Sequence, residues 1–337
     1  MATQRPHTTL VMARGTFERQ FGLEELRRLE AIATLGDPAY APDLDAVGVD
    51  RLATTEVLLT SWGCPPITDT HLDAMPQLRA VLHAAGSVRA LLPPSVHERG
   101  IAVATAAEQN AVPVAEYTLA AVIMAGKRAL PLAAEGRVNP GTWESSFDTT
   151  DLSNRGRTIG LVGLSKIGRR VLDLLRVLDH GPILVADPTA DPDEVRHLGG
   201  ELAPLDEVLT RAEILSLHAP LLPETAGMIG AAELARMPDG ATLINSARGG
   251  LVDHEALLAE CAAGRLDAIL DVTDPEPLPV GHPLLTLGNV TVTPHLAGSL
   301  GTETRRLTQF TLDGLEAFVA GRPIPGAVTD EIAQVSA

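Results

Sequence analysis

From Thr158 onward, short apolar runs rich in Val, Ile and Leu alternate with stretches of helical period. TIGLVGL, PILVAD, ILSLHAP, ATLINSA, LDAILDV and NVTVTPH read as strands. KIGRRVLDLLRVL, DPDEVRHLG, AAELARM and DHEALLAECAAG read as the helices between them. This alternation predicts a parallel sheet with crossover helices, and strands so uniformly apolar fit a sheet covered on both faces. A second, smaller alternation fills the first hundred residues. There TLVMA, EVLLTSW, LRAVLHAA and IAVATA read as strands, with helical patterning in FGLEELRRLEAIATLG and THLDAM. VAEYTLAAVIMAGKRALPLAA is expected to be one long helical segment joining the halves, and a final helix is expected from about Thr302 to Ala320. If that helix folds back onto the first unit, residues 1–111 and 300–337 form a discontinuous domain around a continuous one at 112–299.

Composition narrows the class without changing this picture. The 337 residues are enough for two domains with their own cores, and 45% are hydrophobic. A net charge of −17 argues against a nucleic-acid surface, so any anionic ligand needs local positive groups. Cys64 and Cys261 are the only cysteines, which leaves no disulfide framework and no thiol metal site; no metal is expected. With no signal-peptide pattern and no bilayer-length apolar run, a cytoplasmic protein without membrane contact is the expectation. The tail after Gly321 is short, so no appended regulatory domain is expected.

Candidate chemistry begins at GLVGLSKIG, residues 160–168, which follows a strand and opens a helix. Gly163 permits a tight turn and Gly168 a close helix approach, as in a dinucleotide-binding turn. Ser165 stands where a middle glycine is usual, and its hydroxyl either crowds a pyrophosphate or bonds to it. The helix start at Ser165, Lys166 and Ile167 offers unpaired N–H groups to an anion in either case. At the end of the next strand Asp187, followed by Pro188, is placed to accept from ribose hydroxyls and repel a 2′-phosphate, favouring NAD over NADP. A plain strand–turn–helix junction with a surface Asp is the alternative.

Three further residues stand just beyond strand ends, where open α/β sheets bind ligands. Arg248 lies in INSARGGLVD, Glu276 in DVTDPEP and His295 in VTPH. Singly, each fits an ordinary role: an ion pair, a solvated loop carboxylate, a domain-boundary histidine. Together, beside a dinucleotide turn, they suggest one crevice.

The run from Gly160 to Gly301 resembles the cofactor domain of the D-isomer-specific 2-hydroxy acid dehydrogenases. The matching stretches are GLVGLSKIG, LSLHAPLLPETAGMIG, LINSARGGLVDHEAL, LDVTDPEPLP and VTPHLAGS. Weaker similarity extends upstream through HERGIAVATAAEQNAVPVAEYTLA. The resemblance implies an α/β fold of two Rossmann-like or flavodoxin-like domains with parallel sheets and a cleft between them. One domain would bind substrate and the other NAD. It implies hydride transfer between NAD and a small 2-hydroxy or 2-oxo acid, in a homodimer joined through the cofactor domains. Val112–Ala134 and the loop around Trp143 are the candidates for that contact.

By the same resemblance, His295 is the acid/base, Glu276 fixes its tautomer and Arg248 holds the substrate carboxylate. Asp271 would lie near the nicotinamide amide, Pro220 and Thr225 beside the adenosine, and the Ala247 backbone near the ring. His218, Ala219 and Ala297 complete the expected cofactor set, although a structural role suits His218 equally. In HAAGSVRALL, residues 83–92, Ser87 and Val88 are the counterparts of the substrate-loop amides. Arg89 replaces the usual acidic residue there, either as a surface ion pair or as extra positive charge favouring a doubly anionic substrate. Trp62 is a candidate lining residue, or plain packing. Two other functions remain open on this scaffold: an NAD-sensing, corepressor-like binding protein, and oxidation of a phosphorus oxyanion such as phosphite.

Overall fold

The computed structural model describes residues 5–138, 141 and 152–329. The chain divides into two compact units, one of Met1–Asn110 with Ser299–Ala337, the other of Ala111–Gly298. Both are α/β with parallel sheets.

Unit 1 begins with β1 (His7–Val11), α1 (Arg14–Gln20), α2 (Leu23–Ile32) and β2 (Thr34–Ala41). It continues through α3 (Val49–Thr54), β3 (Val57–Thr60), α4 (Asp69–Asp73), β4 (Ala80–His83), α5 (Ser95–Glu98) and β5 (Ala102–Thr105). The strands run in the order β2-β1-β3-β4-β5, all parallel. Side chains alternate between the faces, so Leu58, Val81 and Val103 pack on one side and Val57, Leu59 and Leu82 on the other. Both faces are buried at β3 and β4, while edge strand β2 is exposed or half-buried along most of its length. The hydrophobic pattern does not announce β2, because Gly36 and Pro38 interrupt it. Its register against β1 skips from Leu35 to Tyr40, and it survives because an edge strand tolerates proline.

The segment expected to be one long helix is two: α6 (Ala107–Gly126) and α7 (Ala129–Gly136). The break falls at Arg128, whose backbone is left-handed at φ 45°. Its guanidinium donates to both carboxylate oxygens of buried Asp267, at 2.9 and 3.2 Å. That bidentate anchor holds the residue in a conformation no helix contains. The Trp143 loop lies outside the described residues.

Unit 2 then runs β6 (Ile159–Val162), α8 (Lys166–Leu175), β7 (Ile183–Ala186), α9 (Pro192–His197), β8 (Glu201–Leu202) and α10 (Leu205–Arg211). It finishes with β9 (Ile214–Leu217), α11 (Ala231–Leu234), β10 (Thr242–Asn245), α12 (His254–Ala262), β11 (Asp267–Leu270) and β12 (Val290–Val292). The seven parallel strands are ordered β12-β11-β10-β9-β6-β7-β8. Strand order therefore reverses at β6 and β9, the position where doubly wound sheets open a crevice beyond their carboxyl ends. Leu184, Leu215 and Leu243 face one core layer, Leu161, Val185 and Ile244 the other. The last helix, α13 (Thr304–Val319), returns to unit 1, where Leu312 and Leu315 join the layer formed by Val57, Leu59 and Leu82.

Candidate active site

The turn after β6 is built by what two glycines lack. Gly163 has φ +94°, and a Cβ there would lie 2.5 Å from the amide nitrogen of Ala219, in the loop after β9. A Cβ on Gly168 would lie 2.3 Å from the Gly163 carbonyl oxygen. The loop after β9 and the first turn of α8 therefore meet the Gly163 turn at the point of strand reversal. Ser165 is the N-cap of α8: its Oγ accepts from the Gly168 amide at 3.3 Å. The side chain that departs from the glycine pattern caps the helix. Lys166 and Ile167, in the first turn, are partly buried.

Beside this turn, His218 is almost fully buried. Its Nε2 pairs with Ser216 Oγ at 2.9 Å, while Nδ1 has no partner among the described residues. Burial pushes its pKa down to about 3, so the ring is neutral. A dinucleotide fits here. The glycine turn, the open N-terminus of α8, the carboxylate after β7 and this orphaned polar atom gather at one switch point.

Three neighbouring strands supply the other cluster. Arg248 follows β10, Glu276 follows β11 and His295 follows β12. His295 Nδ1 is 2.6 Å from Glu276 Oε1, and Glu276 Oε2 accepts from the Thr273 amide at 3.3 Å. Arg248 comes close because Gly249 has no side chain: a Cβ there would lie 2.0 Å from the Thr273 carbonyl oxygen. Burial lowers the Arg248 pKa, and the charge of Glu276 opposes that. Its Nη1 donates to the Ala247 carbonyl at 2.6 Å. His295 itself has a left-handed backbone, φ 52°, and an exposed ring. A non-glycine residue persists there only when its surroundings hold it.

Residues 120–297 match the D-isomer specific 2-hydroxyacid dehydrogenase, NAD binding domain. The chain belongs to this dehydrogenase family. It is 34% identical over 304 residues to D-3-phosphoglycerate dehydrogenase of Mycobacterium bovis, covering 88% of the chain and 56% of that longer protein. The chain thus spans little more than half the length of that relative. It is also 33% identical over 301 residues to glyoxylate reductase of Korarchaeum cryptofilum, covering 88% and 89% of the two chains. Among solved structures, a phosphoglycerate oxidoreductase from Rhizobium etli superposes with TM-score 0.80 at 25% identity, covering 96% and 98%.

Unit 2, which contains the matched residues 120–297, positions the remaining expected residues unevenly. Asp187 lies at the end of β7, but its oxygens are engaged within the protein. Oδ2 accepts from the Leu164 amide at 2.7 Å, and Oδ1 accepts from the amide and hydroxyl of Thr189, both at 2.8 Å. Burial would raise its pKa, and these hydrogen bonds outweigh that and lower it. Pro188 beside it is exposed. Thr225 Oγ1 donates to the Pro220 carbonyl at 2.6 Å and accepts from the Leu222 amide at 2.8 Å, closing the loop after β9. The Ala247 amide donates to Asn245 Oδ1 at 3.0 Å. Asp271, nearly inaccessible, accepts from Thr293 Oγ1, from the Leu296 amide and from the Ala297 amide at 2.6, 2.8 and 2.9 Å. It ties down the segment that carries His295, a task its sequence position does not advertise.

In unit 1, Val88 is buried and Arg89 exposed, and the Arg89 amide donates to Ser87 Oγ at 3.3 Å. Trp62 is partly exposed, and its carbonyl accepts from the Ala13 amide at 3.1 Å. Sequence reading overlooked Asn110. Its Oδ1 accepts from the Ser299 amide at 3.0 Å, and its Nδ2 lies 3.9 Å from where a Gly86 side chain would begin. Its polar neighbourhood inside EQNAVP is the only hint in the sequence. Among the described residues no helix is long and apolar enough to cross a membrane, and no cluster of three or more His, Cys, Asp or Glu could hold a metal ion.

Proposed function

We propose that the chain is an NAD-dependent D-2-hydroxyacid dehydrogenase working chiefly as a 2-oxoacid reductase, with His295, Glu276 and Arg248 as its catalytic trio. The observation that carries this reading is the 2.6 Å contact between His295 and Glu276, with Arg248 one strand further along the same sheet end. Glu276 is an acceptor, so the bonded Nδ1 bears the proton and Nε2 keeps its lone pair. Nε2 takes the proton of the substrate hydroxyl on oxidation and returns it to the carbonyl oxygen on reduction. The Arg248 guanidinium holds the substrate carboxylate in its planar fork, and its burial strengthens that attraction. NAD, when bound, would supply the acceptor for the hydride of C2 and, as NADH, the donor in the reverse direction. Gly163, Ser165, Lys166, Ile167 and Gly168 would hold its pyrophosphate, Asp187 and Pro188 its ribose, and the loops of His218–Pro220, Thr225, Ala247, Asp271 and Ala297 its two ends.

Unit 1 is read as the substrate-binding domain, with Ser87, Val88, Arg89 and Trp62 as its contacts. Arg89→Ala, assayed on lactate, glycerate and phosphoglycerate, should lose activity on the phosphorylated compound alone if Arg89 selects a doubly anionic substrate. A homodimer through unit 2 is proposed on the exposure of Ile123 and Met124 on α6, and sedimentation equilibrium reads it directly.

A panel of 2-oxoacids read by NADH absorbance, with NADPH in parallel, tests the activity. His295→Ala should lower kcat by about 10³-fold, the scale of acid–base catalysis, with NADH affinity unchanged. Turnover at the wild-type rate in that variant refutes the mechanism. Tight NAD binding with no turnover on any substrate selects the binding-protein reading instead.

A further inference from the structure

We infer that Tyr117 is a remote positioning residue for His295, acting through the hydroxyl of Thr293 and the carboxylate of Asp271. The inference rests on the reading of His295 as the acid/base, but the contacts that carry it are independent of that reading. Tyr117, on α6, places its hydroxyl 2.8 Å from Thr293 Oγ1. Thr293 Oγ1 lies 2.6 Å from Asp271 Oδ1. The polarity of this chain is fixed by proton count. Thr293 has one hydroxyl proton and gives it to the carboxylate, so Thr293 receives from Tyr117.

Asp271 then grips the backbone on the far side of His295, through the amides of Leu296 and Ala297. On the near side, the His295 amide donates to the carbonyls of Asp271 and Thr293, at 3.0 and 2.9 Å. The only non-glycine residue of this loop with a left-handed backbone is thus clamped from both directions. A hydroxyl that donates to another hydroxyl polarises it and shortens its next bond, so the three groups act as a unit. Tyr117 is the outermost member, a helix residue with no place in the strand-end cluster. Without its donor, Thr293 is free to rotate and to bond elsewhere, and the clamp on residues 293–297 loosens. The imidazole then samples positions away from Glu276, which is the misalignment acid–base catalysis tolerates least.

Burial raises the Tyr117 pKa; the bond to Thr293 opposes this and the nearby charge of Asp271 adds to it. The phenol therefore keeps its proton, and stays a donor, at neutral pH. Thr118, next to it, is engaged separately with the Val114 carbonyl and Ser246 Oγ.

Tyr117→Phe removes the donor and keeps the ring; Thr293→Val and Thr293→Ser remove and retain the middle hydroxyl. Nitrogen-15 histidine spectra of the full chain without cofactor, with His295 assigned from a His295→Asn spectrum, report its tautomer and the protection of its Nδ1 proton. The expected result is a protected Nδ1–H form in the wild type and in Thr293→Ser, and a mixed, exchanging ring in Tyr117→Phe and Thr293→Val. In parallel, kcat should fall about tenfold in Tyr117→Phe, short of the 10²-fold cost of an ångström's misplacement, with NADH dissociation constant unchanged. A Tyr117→Phe variant that melts earlier but keeps the wild-type tautomer signal overturns the inference, as does a Thr293→Ser variant as impaired as Thr293→Val. If the wild type reduces no 2-oxoacid, the functional reading has failed, and the spectra alone still decide whether Tyr117 positions His295.

Discussion

The two sheets share a plan and differ in what they do with it. Each starts from an interior strand, builds outward on one side (one strand in unit 1, two in unit 2) and then reverses to the other, β1 to β3 in unit 1 and β6 to β9 in unit 2. At the reversal of unit 1 the chain passes through Ala13 into the seven-residue α1, with no side-chain cap, and the Ala13 amide is closed onto the Trp62 carbonyl. At the reversal of unit 2 it passes through Gly163 and a serine cap into the ten-residue α8. Unit 2 also has one more strand beyond the reversal, β12, and His295 follows it. Topology supplies a crevice in both places; residue chemistry equips only one.

Each unit buries one histidine at the carboxyl end of a strand, and this gives the largest measurable contrast. Burial pushes the His83 pKa to about 4 and that of His218 to about 3. In the unfolded chain both protonate near the ordinary 6.5. Between those values the unfolded state binds more protons, so the stability contribution is complete above about pH 6.5 and is lost as pH falls through 5 toward 4 and 3. At 1.36 kcal/mol per pKa unit the losses reach roughly 3 kcal/mol in unit 1 and 5 kcal/mol in unit 2. Calorimetry from pH 7 down to pH 3 should show acid sensitivity reduced about equally by His83→Asn and His218→Asn to pH 4.5, and reduced further by His218→Asn below pH 4. Equal sensitivity in all three proteins removes buried histidine as the cause.

Gly163→Ala should cost about 3 kcal/mol of stability, from its left-handed backbone and its clash with Ala219, and weaken NADH binding by about 10²-fold. The matching change in unit 1, Ala13→Gly, should move stability by no more than about 0.5 kcal/mol. A similar response at the two turns would erase the distinction between them. Asp187→Ala removes the acceptor for Leu164 and Thr189 and should cost about 1–2 kcal/mol while raising NADP use relative to NAD. An unchanged cofactor ratio leaves Asp187 as a loop brace. Ser165→Gly is the smallest effect, a few tenths of a kcal/mol in urea unfolding, because glycine is itself an acceptable cap. A large drop in the NADH dissociation constant would show that the serine crowds the phosphates.

The fold was legible where periodicity is strong. Uniformly apolar strands such as ILSL and TLIN, punctuated by helical stretches, leave few architectures open. It was hidden where local signals conflict: Gly36 and Pro38 mask β2, and the apolar run masks a break made jointly by Arg128, bonded to Asp267, and Pro131 in the first turn of α7. Arg248, Glu276 and His295 were readable as strand-end residues, because a loop's place in an α/β sheet follows from strand order. The assignments of Asp271 and Asp187 were harder. A carboxylate's partners are backbone amides brought together by folding, and backbone amides carry no residue signature.

The return of the chain from unit 2 to unit 1 has a temporal side. The Thr105 amide donates to the Gly326 carbonyl, the Val328 amide donates to the Val103 carbonyl, and α13 covers one sheet face with Leu312 and Leu315. During synthesis, which proceeds from the N-terminus, the unit that starts first cannot finish first. Unit 2 has all its strands once residue 298 has emerged, while one face of the first sheet, covered only in part by Phe21 and Leu29, waits for residues 304–328. The nascent protein is therefore most vulnerable to aggregation through its oldest part, and a ribosome stalled shortly before Thr304 would leave that face exposed longest.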